Sequence, residues 1–240
     1  MSRPDYLNMK SGQNTHSEPV VIPADQYGAA QGVTEGRKVL RNTYMLLSMT
    51  LVFSAGVAAM SMAFNWPHPG LILTLVGYFG LLFLVEKTKN SAMGILSVFA
   101  LTGFMGLTLG PIVSAYARLP GGTELVATAL GATGLIFFAM SGWVLATGKE
   151  LSGWGKTLTV GILMAFVLSI ANIFMGLPMV SLAVSAMFIM LMSGLIAYQT
   201  SAIIHGGETN YISATVTLYV SIYNLFLSLL QILGVMGSDD

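Results

Sequence analysis

Two side chains that can bind a metal ion, His205 and Glu208, lie close together in the motif HGGETN near the C-terminus. An imidazole and a carboxylate are ordinary zinc ligands, but a protein site needs at least three ligands and no third candidate lies nearby. The same motif is also typical of a turn between two helices. In that interpretation, His205 lies at the carboxyl end of one helix and Glu208 at the amide end of the next, where the helix dipole favours a negative charge. Gly206 and Gly207 supply the permissive backbone between them.

No other arrangement of reactive side chains in the sequence is typical of catalysis. The chain contains no cysteine, which excludes disulfides, thiolate metal sites and a cysteine nucleophile. It also has no Ser-His-Asp, HExxH, P-loop or paired-carboxylate pattern. The sequence therefore predicts a protein that is not an enzyme and that uses no cofactor.

Seven polar residues recur at intervals of three or four along the last apolar segment, which places them on one face of a helix. We call this set the polar stripe: Asn210, Ser213, Thr217, Ser221, Asn224, Ser228 and Gln231. At 1.5 Å per residue the stripe covers about 31 Å, the full hydrocarbon thickness of a bilayer. Unpaired donors and acceptors are costly in lipid, so we expect this helix to be central and ringed by the others.

Two interpretations of the polar stripe stay open. Its side chains could hold neighbouring helices together by hydrogen bonds, or they could line a polar pathway. Charged residues inside a membrane span usually mark ion or proton relays. The stripe contains no titratable group, and no Asp, Glu, Lys, Arg or His lies near the middle of any apolar segment. This composition favours interhelical hydrogen bonding.

The overall composition is that of a membrane protein. Of the 240 residues, 55% are hydrophobic and only 8% are charged, against roughly 25% charged residues in soluble domains. The net charge is zero and the basic residues form no run that could grip DNA or RNA, so we expect no nucleic-acid partner. The expected surroundings are the lipid bilayer.

The apolar residues form seven blocks long enough to cross a membrane as helices. The predicted fold is therefore all-α, a polytopic bundle of seven transmembrane helices, separated by turn-forming breaks such as NWPHPG, ARLPGG and GLP. The predicted spans are Thr43–Phe64, Gly70–Val85, Ala92–Tyr116, Glu124–Thr147, Thr157–Met175, Met179–Thr200 and Asn210–Gly234.

The third span contains two features that bear on packing. GLTLG at Gly106–Gly110 is a GxxxG pattern, which lets helix backbones approach closely. Pro111 follows directly, and we expect it to kink the helix and to free a carbonyl that then needs another partner. In the fifth span, Asn172 is expected to bond a neighbouring helix.

The distribution of Lys and Arg predicts the orientation, because these residues accumulate on the cytoplasmic side. With the N-terminus inside, nine of the ten basic residues are cytoplasmic and only Arg118 is outside. The C-terminus is then periplasmic. The last turn and the C-terminal GSDD carry no basic residue, so a re-entrant last segment stays open as an alternative.

Three regions are predicted along the chain. Residues 1–36 are polar and cannot bury enough apolar area to offset chain entropy, so we expect a disordered cytoplasmic tail. Residues 37–236 form the transmembrane domain, and residues 237–240 are a short polar C-terminus.

Several stretches resemble a known family. The run AYQTSAIIHGGETNYISATVTLYVSIYNLFLSLLQILG is similar to the C-terminal signature of the Bax-inhibitor family, the transmembrane Bax inhibitor motif proteins. The stretches VLRNTYMLLSMTLVFSA, PGLILTLVGYFGLLFL and IIHGGETNYI look like its bacterial branch of modulators of the FtsH protease. The resemblance covers most of the chain from Arg37 onward and implies a seven-helix bundle with a central last helix.

The sequence departs from the family at one pair of positions. Family members studied as calcium or proton-sensitive channels carry an aspartate after the Tyr of the sixth helix and another after the Leu-Tyr of the seventh. Here these positions are Gln199 and Ser221. Neither side chain has the negative charge that would hold calcium or the proton that would titrate.

The resemblance therefore implies a non-enzymatic inner-membrane modulator. It would bind FtsH, a membrane-anchored ATP-dependent protease, and restrain its action on membrane proteins in quality control. The implied partners are the protease, its regulators and the lipid bilayer. The alternative is a Bax-inhibitor-type channel or leak for calcium or protons, which the replacement of both aspartates disfavours.

Liposomes containing the protein should show no calcium leak that switches between pH 6 and 8, because neither Gln199 nor Ser221 titrates there. The measurement is the release of entrapped calcium across that pH range, with protein-free liposomes as the control. A steep pH-gated leak from the unmodified protein would contradict this expectation.

Overall fold

The structure, a computed structural model, describes residues 24–237, with side chains from residue 35 onward. Within this range it contains seven long helices, one short 3₁₀ turn at Ser152–Trp154 and no strand. The helices are α1 (Ala24–Ala63), α2 (Leu71–Thr88), α3 (Met93–Ala117), α4 (Gly122–Thr147), α5 (Gly155–Met175), α6 (Pro178–Ile204) and α7 (Tyr211–Met236).

These helices confirm the all-α, seven-span prediction. All seven are long and apolar enough to cross a membrane, with the first span at Glu35–Ala63. The observed helices extend beyond several predicted spans. The residues that stop α4 and α5 are Gly148 and Gly176, whose φ angles of 61° and 64° are left-handed and suit glycine, which lacks a Cβ.

The predicted tail lies mostly outside the described residues, which begin at residue 24. Helix α1 begins at Ala24, inside the segment 1–36. Residues 238–240 of the predicted C-terminus also lie outside the described part. The three-part division of the chain therefore stays a prediction.

Helix α7 runs from one end of the bundle to the other. Its first turn bonds the loop between α2 and α3, because the Asn210 amide donates to Asn90 Oδ1 at 2.8 Å. Near its other end, Gly234 lies against the ring of Tyr116, in the last turn of α3. A re-entrant segment would bring both of its ends to the same side, so this geometry does not support that alternative.

Five helices pack against α7, namely α1, α2, α3, α4 and α6. Helix α5 packs on α6, and its backbone stays more than 8 Å from that of α7. The expected ring of helices is thus interrupted at α5, where a cavity intervenes. The central position of the last helix stays a prediction.

Helices α1 and α3 approach each other closely, and the glycines of the GxxxG pattern lie in their contact. A Cβ on Gly106 would lie 2.4 Å from the carbonyl oxygen of Ser54, and a Cβ on Gly110 would lie 2.6 Å from Ser61 Cβ. A residue larger than glycine therefore cannot be placed at either position without a backbone shift. Here the pattern joins two helices of the same chain.

Pro111 lies inside α3, and its freed carbonyl has a partner. Proline has no N–H, so the carbonyl four residues earlier, at Leu107, loses its helical hydrogen bond. The hydroxyl of Ser61 on α1 donates to this oxygen at 3.1 Å. The sequence predicts that this carbonyl needs a partner. In the structure the partner comes from α1, the helix that packs closely against Gly106 and Gly110.

Replacing Gly106 by alanine should destabilise the bundle by about 1–3 kcal/mol, because the added methyl overpacks a backbone contact. The matched control is Gly134→Ala in α4, where nothing lies within 4 Å of the added Cβ and a helical alanine is favourable. The measurement is unfolding of the purified proteins in mixed micelles. Equal stabilities for the two variants would refute the close α1–α3 contact.

Candidate functional site

The candidate site is the polar stripe of α7 together with the turn that precedes it. Asn210 is the N-cap of α7, and its side-chain oxygen accepts from the backbone N–H groups of Ile212 at 2.9 Å and Ser213 at 3.1 Å. Its amide nitrogen donates to Lys89 O at 3.2 Å as well as to Asn90. The first residue of the stripe therefore starts the helix and ties it to the α2–α3 loop.

The middle of the stripe bonds mainly to its own helix. Thr217, Ser221 and Asn224 each donate to the carbonyl four residues earlier, at 3.1, 2.7 and 2.8 Å. Each of these side chains thus donates a hydrogen bond within its own helix and none to a neighbouring helix of the described residues. The expectation that the stripe as a whole holds helices together is therefore wrong for these three residues.

The remaining members have different surroundings. Gln231 Oε1 accepts from Ser185 of α6 at 2.7 Å, an interhelical bond of the expected kind. Ser228 is buried, and Ser213 is half-buried. Only the two ends of the stripe, Asn210 and Gln231, thus make side-chain bonds to other elements.

Tyrosines make the interhelical bonds that the stripe does not. Tyr219 is 2% exposed; its hydroxyl donates to Thr102 O of α3 at 3.4 Å and also hydrogen-bonds with Ser54 of α1. Tyr223 hydrogen-bonds with Thr108 of α3 at 3.2 Å. The helical spacing that defines the polar stripe does not include the tyrosines. A tyrosine deep in an apolar span nevertheless indicates a hydroxyl that needs a hydrogen-bond partner.

The two positions where family channels carry aspartates are both buried. Gln199 is 5% exposed, and its side-chain nitrogen has no hydrogen-bond partner among the described residues. Ser221 is fully buried and bonds only its own helix. No hydrogen bond joins the two side chains, so they form no pair in this structure.

The residue after Gln199 belongs to a local network. Thr200 Oγ1 donates to Ile196 O at 2.9 Å and lies 3.4 Å from the hydroxyl of Tyr44 and 3.2 Å from that of Ser141. This network links α1, α4 and α6. The polar residues at this level therefore serve packing between helices.

The HGGE turn uses its polar groups locally. His205 Nδ1 lies 2.9 Å from Ser201 O, and Glu208 accepts from the backbone N–H of Asn210 at 2.8 Å. Gly206 has a left-handed φ of 76°, and the N–H groups of Gly207 and Glu208 both donate to Ala202 O. Within residues 24–237, no group of three or more His, Cys, Asp or Glu side chains could hold a metal.

Known proteins resemble this chain over nearly the whole transmembrane domain. Residues 36–238 match the sequence model of the family described as inhibitor of apoptosis-promoting Bax1. The Modulator of FtsH protease YccA of Escherichia coli K12 is 55% identical over 202 residues, which cover 84% of this chain and 92% of that protein. A match of the same extent in E. coli O6:H1 is named Inner membrane protein YccA. A Pseudomonas aeruginosa protein is 49% identical over 218 residues, covering 90% of this chain and 98% of its own length.

Replacing Tyr219 by phenylalanine should lower the free energy of unfolding by about 1–2 kcal/mol, because bonds to both α1 and α3 are lost. The matched comparison is Asn224→Leu, which removes a bond only to its own helix and should cost less. Unfolding in mixed micelles measures both. A larger loss for the Asn224 variant would show that the stripe, and not the tyrosine, joins the helices.

Proposed function

The chain belongs to the family described as inhibitor of apoptosis-promoting Bax1, and from this membership we propose that it is a non-enzymatic inner-membrane modulator of an FtsH-type protease. The observation that carries the proposal is the 55% identity to a protein named Modulator of FtsH protease, over 92% of that protein's length. The aligned region includes most of the transmembrane domain. The proposed partner is therefore a protease anchored in the same membrane.

The chemistry of the bundle agrees with a binding role. On α7, the side chains of Thr217, Tyr219, Ser221 and Asn224 all donate to backbone carbonyls. The surfaces left for a partner in the bilayer are apolar, and few residues of α2, α4 and α5 are buried in the bundle. Exposed side chains such as Phe83 on α2 and Phe174 on α5 could pack against the spans of another membrane protein as they pack against lipid.

The N-terminal segment offers a second contact with the protease. An ATP-dependent protease must first engage an unstructured segment, and the sequence predicts one on the cytoplasmic side. Residues 1–23 would reach roughly 76–83 Å when fully extended. In this mechanism the protease binds the tail, and the bundle resists extraction from the membrane. The protein then occupies the protease as a slowly degraded substrate.

The tail lies mostly outside the region that the family model matches, which begins at residue 36. Modulation by the membrane domain alone is the natural alternative mechanism. The same experiment separates the two.

Expression of the full chain should lengthen the half-life of a membrane substrate of the protease, and crosslinking should recover the protease with the chain. Deleting residues 2–23, which precede α1, should leave the bundle inserted but remove the protection. Pulse-chase at equal expression levels measures the half-lives. The matched control is a tail of the same composition in scrambled order, which should still protect because engagement needs disorder and not a particular sequence.

One result would contradict the tail mechanism, and another would contradict the modulator function. Equal protection by the full and shortened chains would assign modulation to the membrane domain and refute the tail mechanism. An unchanged substrate half-life, with no protease recovered by crosslinking, would refute the modulator function itself.

A further inference from the structure

Two cavities meet at His68, in the loop between α1 and α2, and one has more apolar walls than the other. The larger, of about 430 Å³, lies among α2, α3, α5, α6 and α7 and includes His68 at its edge. Most of its walls are aromatic or aliphatic, including Tyr78, Phe104, Ile162 and Phe188. The smaller, which we call the polar cavity, has a volume of about 360 Å³ and is also bounded by His68; about half of its wall is polar and includes Asn65, Ser114 and Arg118.

The apolar cavity opens toward lipid between α2 and α5. No Cα atoms of these two helices lie within 8 Å of each other, and at one level the rings of Phe79 and Phe166 are in contact, with centroids 5.8 Å apart. Phe79 and Leu163 line the cavity and are also 49% and 58% exposed. A hydrocarbon chain in the bilayer therefore has a lateral route into this space.

The polar cavity carries a cation with no anionic partner. Arg118 Nη2 donates to the neutral side-chain oxygen of Asn65 at 3.2 Å, and no carboxylate of the described residues lies within 4 Å of its guanidinium. The remaining N–H groups of Arg118 stay available, and guanidinium geometry suits phosphate oxygens. Arg118 is also the one basic residue among those described at this end of the bundle.

His68 provides a second donor beside the arginine. Its Nδ1 accepts a hydrogen bond from the backbone N–H of Gly70 at 3.0 Å. In the neutral imidazole the proton is then on Nε2, which has no partner among the described residues and can donate. The place where the two cavities meet thus presents an N–H group that favours an anion.

The spacing of these features matches one leaflet of a bilayer. Along α3, the apolar cavity extends from Phe104 to Ile112, about 12 Å at 1.5 Å per residue, and Arg118 lies about 9 Å further. The sum is close to half of the roughly 40–45 Å thickness that includes the headgroups. Thr74 of α2 also lines the apolar cavity.

We propose that these two cavities form one binding site for an anionic membrane phospholipid. Arg118 and His68 bind its phosphate, and one acyl chain enters between α2 and α5 and fills the apolar cavity. The cavity volume lies within the range of ordinary ligand sites, which combine apolar walls with a few polar groups. The lipid belongs to the leaflet on the side of the α1–α2 loop, and the site does not depend on the protease.

The test uses Trp66, which lines the polar cavity, as a fluorescent reporter. In the full chain with Trp143→Phe and Trp154→Phe, Trp66 is the one remaining tryptophan. The protein is reconstituted in zwitterionic phosphatidylcholine bilayers that contain increasing fractions of phosphatidylglycerol brominated on its acyl chains. Quenching should reach half its maximum at about three- to tenfold lower mole fraction than with equally brominated phosphatidylcholine, because the phosphate of the anionic lipid meets an unpaired cation.

Matched variants separate the headgroup and the acyl chain. Arg118→Gln should remove the preference for the anionic lipid, whereas Lys156→Gln, which removes the same charge at the other end of the bundle, should keep it. Ile162→Phe narrows the cavity and should weaken quenching, whereas Ile72→Phe on the lipid-facing side of α2 should not. Inorganic phosphate in excess should not compete, because it lacks the acyl chain.

The parent protein decides the main question without any change to the cavities. Equal quenching by the two brominated lipids would overturn the proposal, as would full competition by inorganic phosphate. Retention of the preference in the Arg118 variant would overturn the phosphate assignment. Unchanged quenching in the Ile162 variant would overturn the acyl-chain assignment.

Discussion

In hydrocarbon, a carbonyl or hydroxyl that finds no partner costs several kcal/mol, and the packing of this bundle follows from that constraint. Pro111 frees the carbonyl of Leu107 inside α3. Ser61 on α1 reaches that carbonyl because Gly110 has no side chain to hold the two helices apart. A proline, a serine and a glycine that are distant in sequence therefore specify one contact.

The contact between α1 and α3 creates the place where α7 is attached. Tyr219 inserts its hydroxyl between the two helices and bonds both Ser54 and the carbonyl of Thr102. Helices α1, α3 and α7 are thus joined by polar bonds, whereas few residues of α2 and α5 are buried in the bundle. The exposed helices bound the apolar cavity, and they are also the surfaces available to a partner's membrane spans.

The middle of the polar stripe hydrogen-bonds within its own helix. Thr217, Ser221 and Asn224 each donate a hydrogen bond to a carbonyl of their own helix. These polar side chains therefore offer few donors to the neighbouring helices. Helix α1 begins at one end of the bundle, and the proposed lipid site lies at the other end, at the α1–α2 loop.

The number of spans, the all-α class and the helix-terminating turns are predictable from the sequence, because apolar length and glycine chemistry are local properties of the chain. The sequence also identifies Pro111 as a residue whose freed carbonyl needs a partner, and Asn210 as the start of the last helix. It does not predict that Ser61 is that partner, that Tyr219 and not Asn224 joins helices, or that cavities meet at the loop between α1 and α2. A hydroxyl or amide on a helix can bond either its own backbone or a neighbour, and spacing along the sequence does not distinguish the two. That choice depends on which helices approach closely enough, and therefore on contacts between residues far apart in the chain.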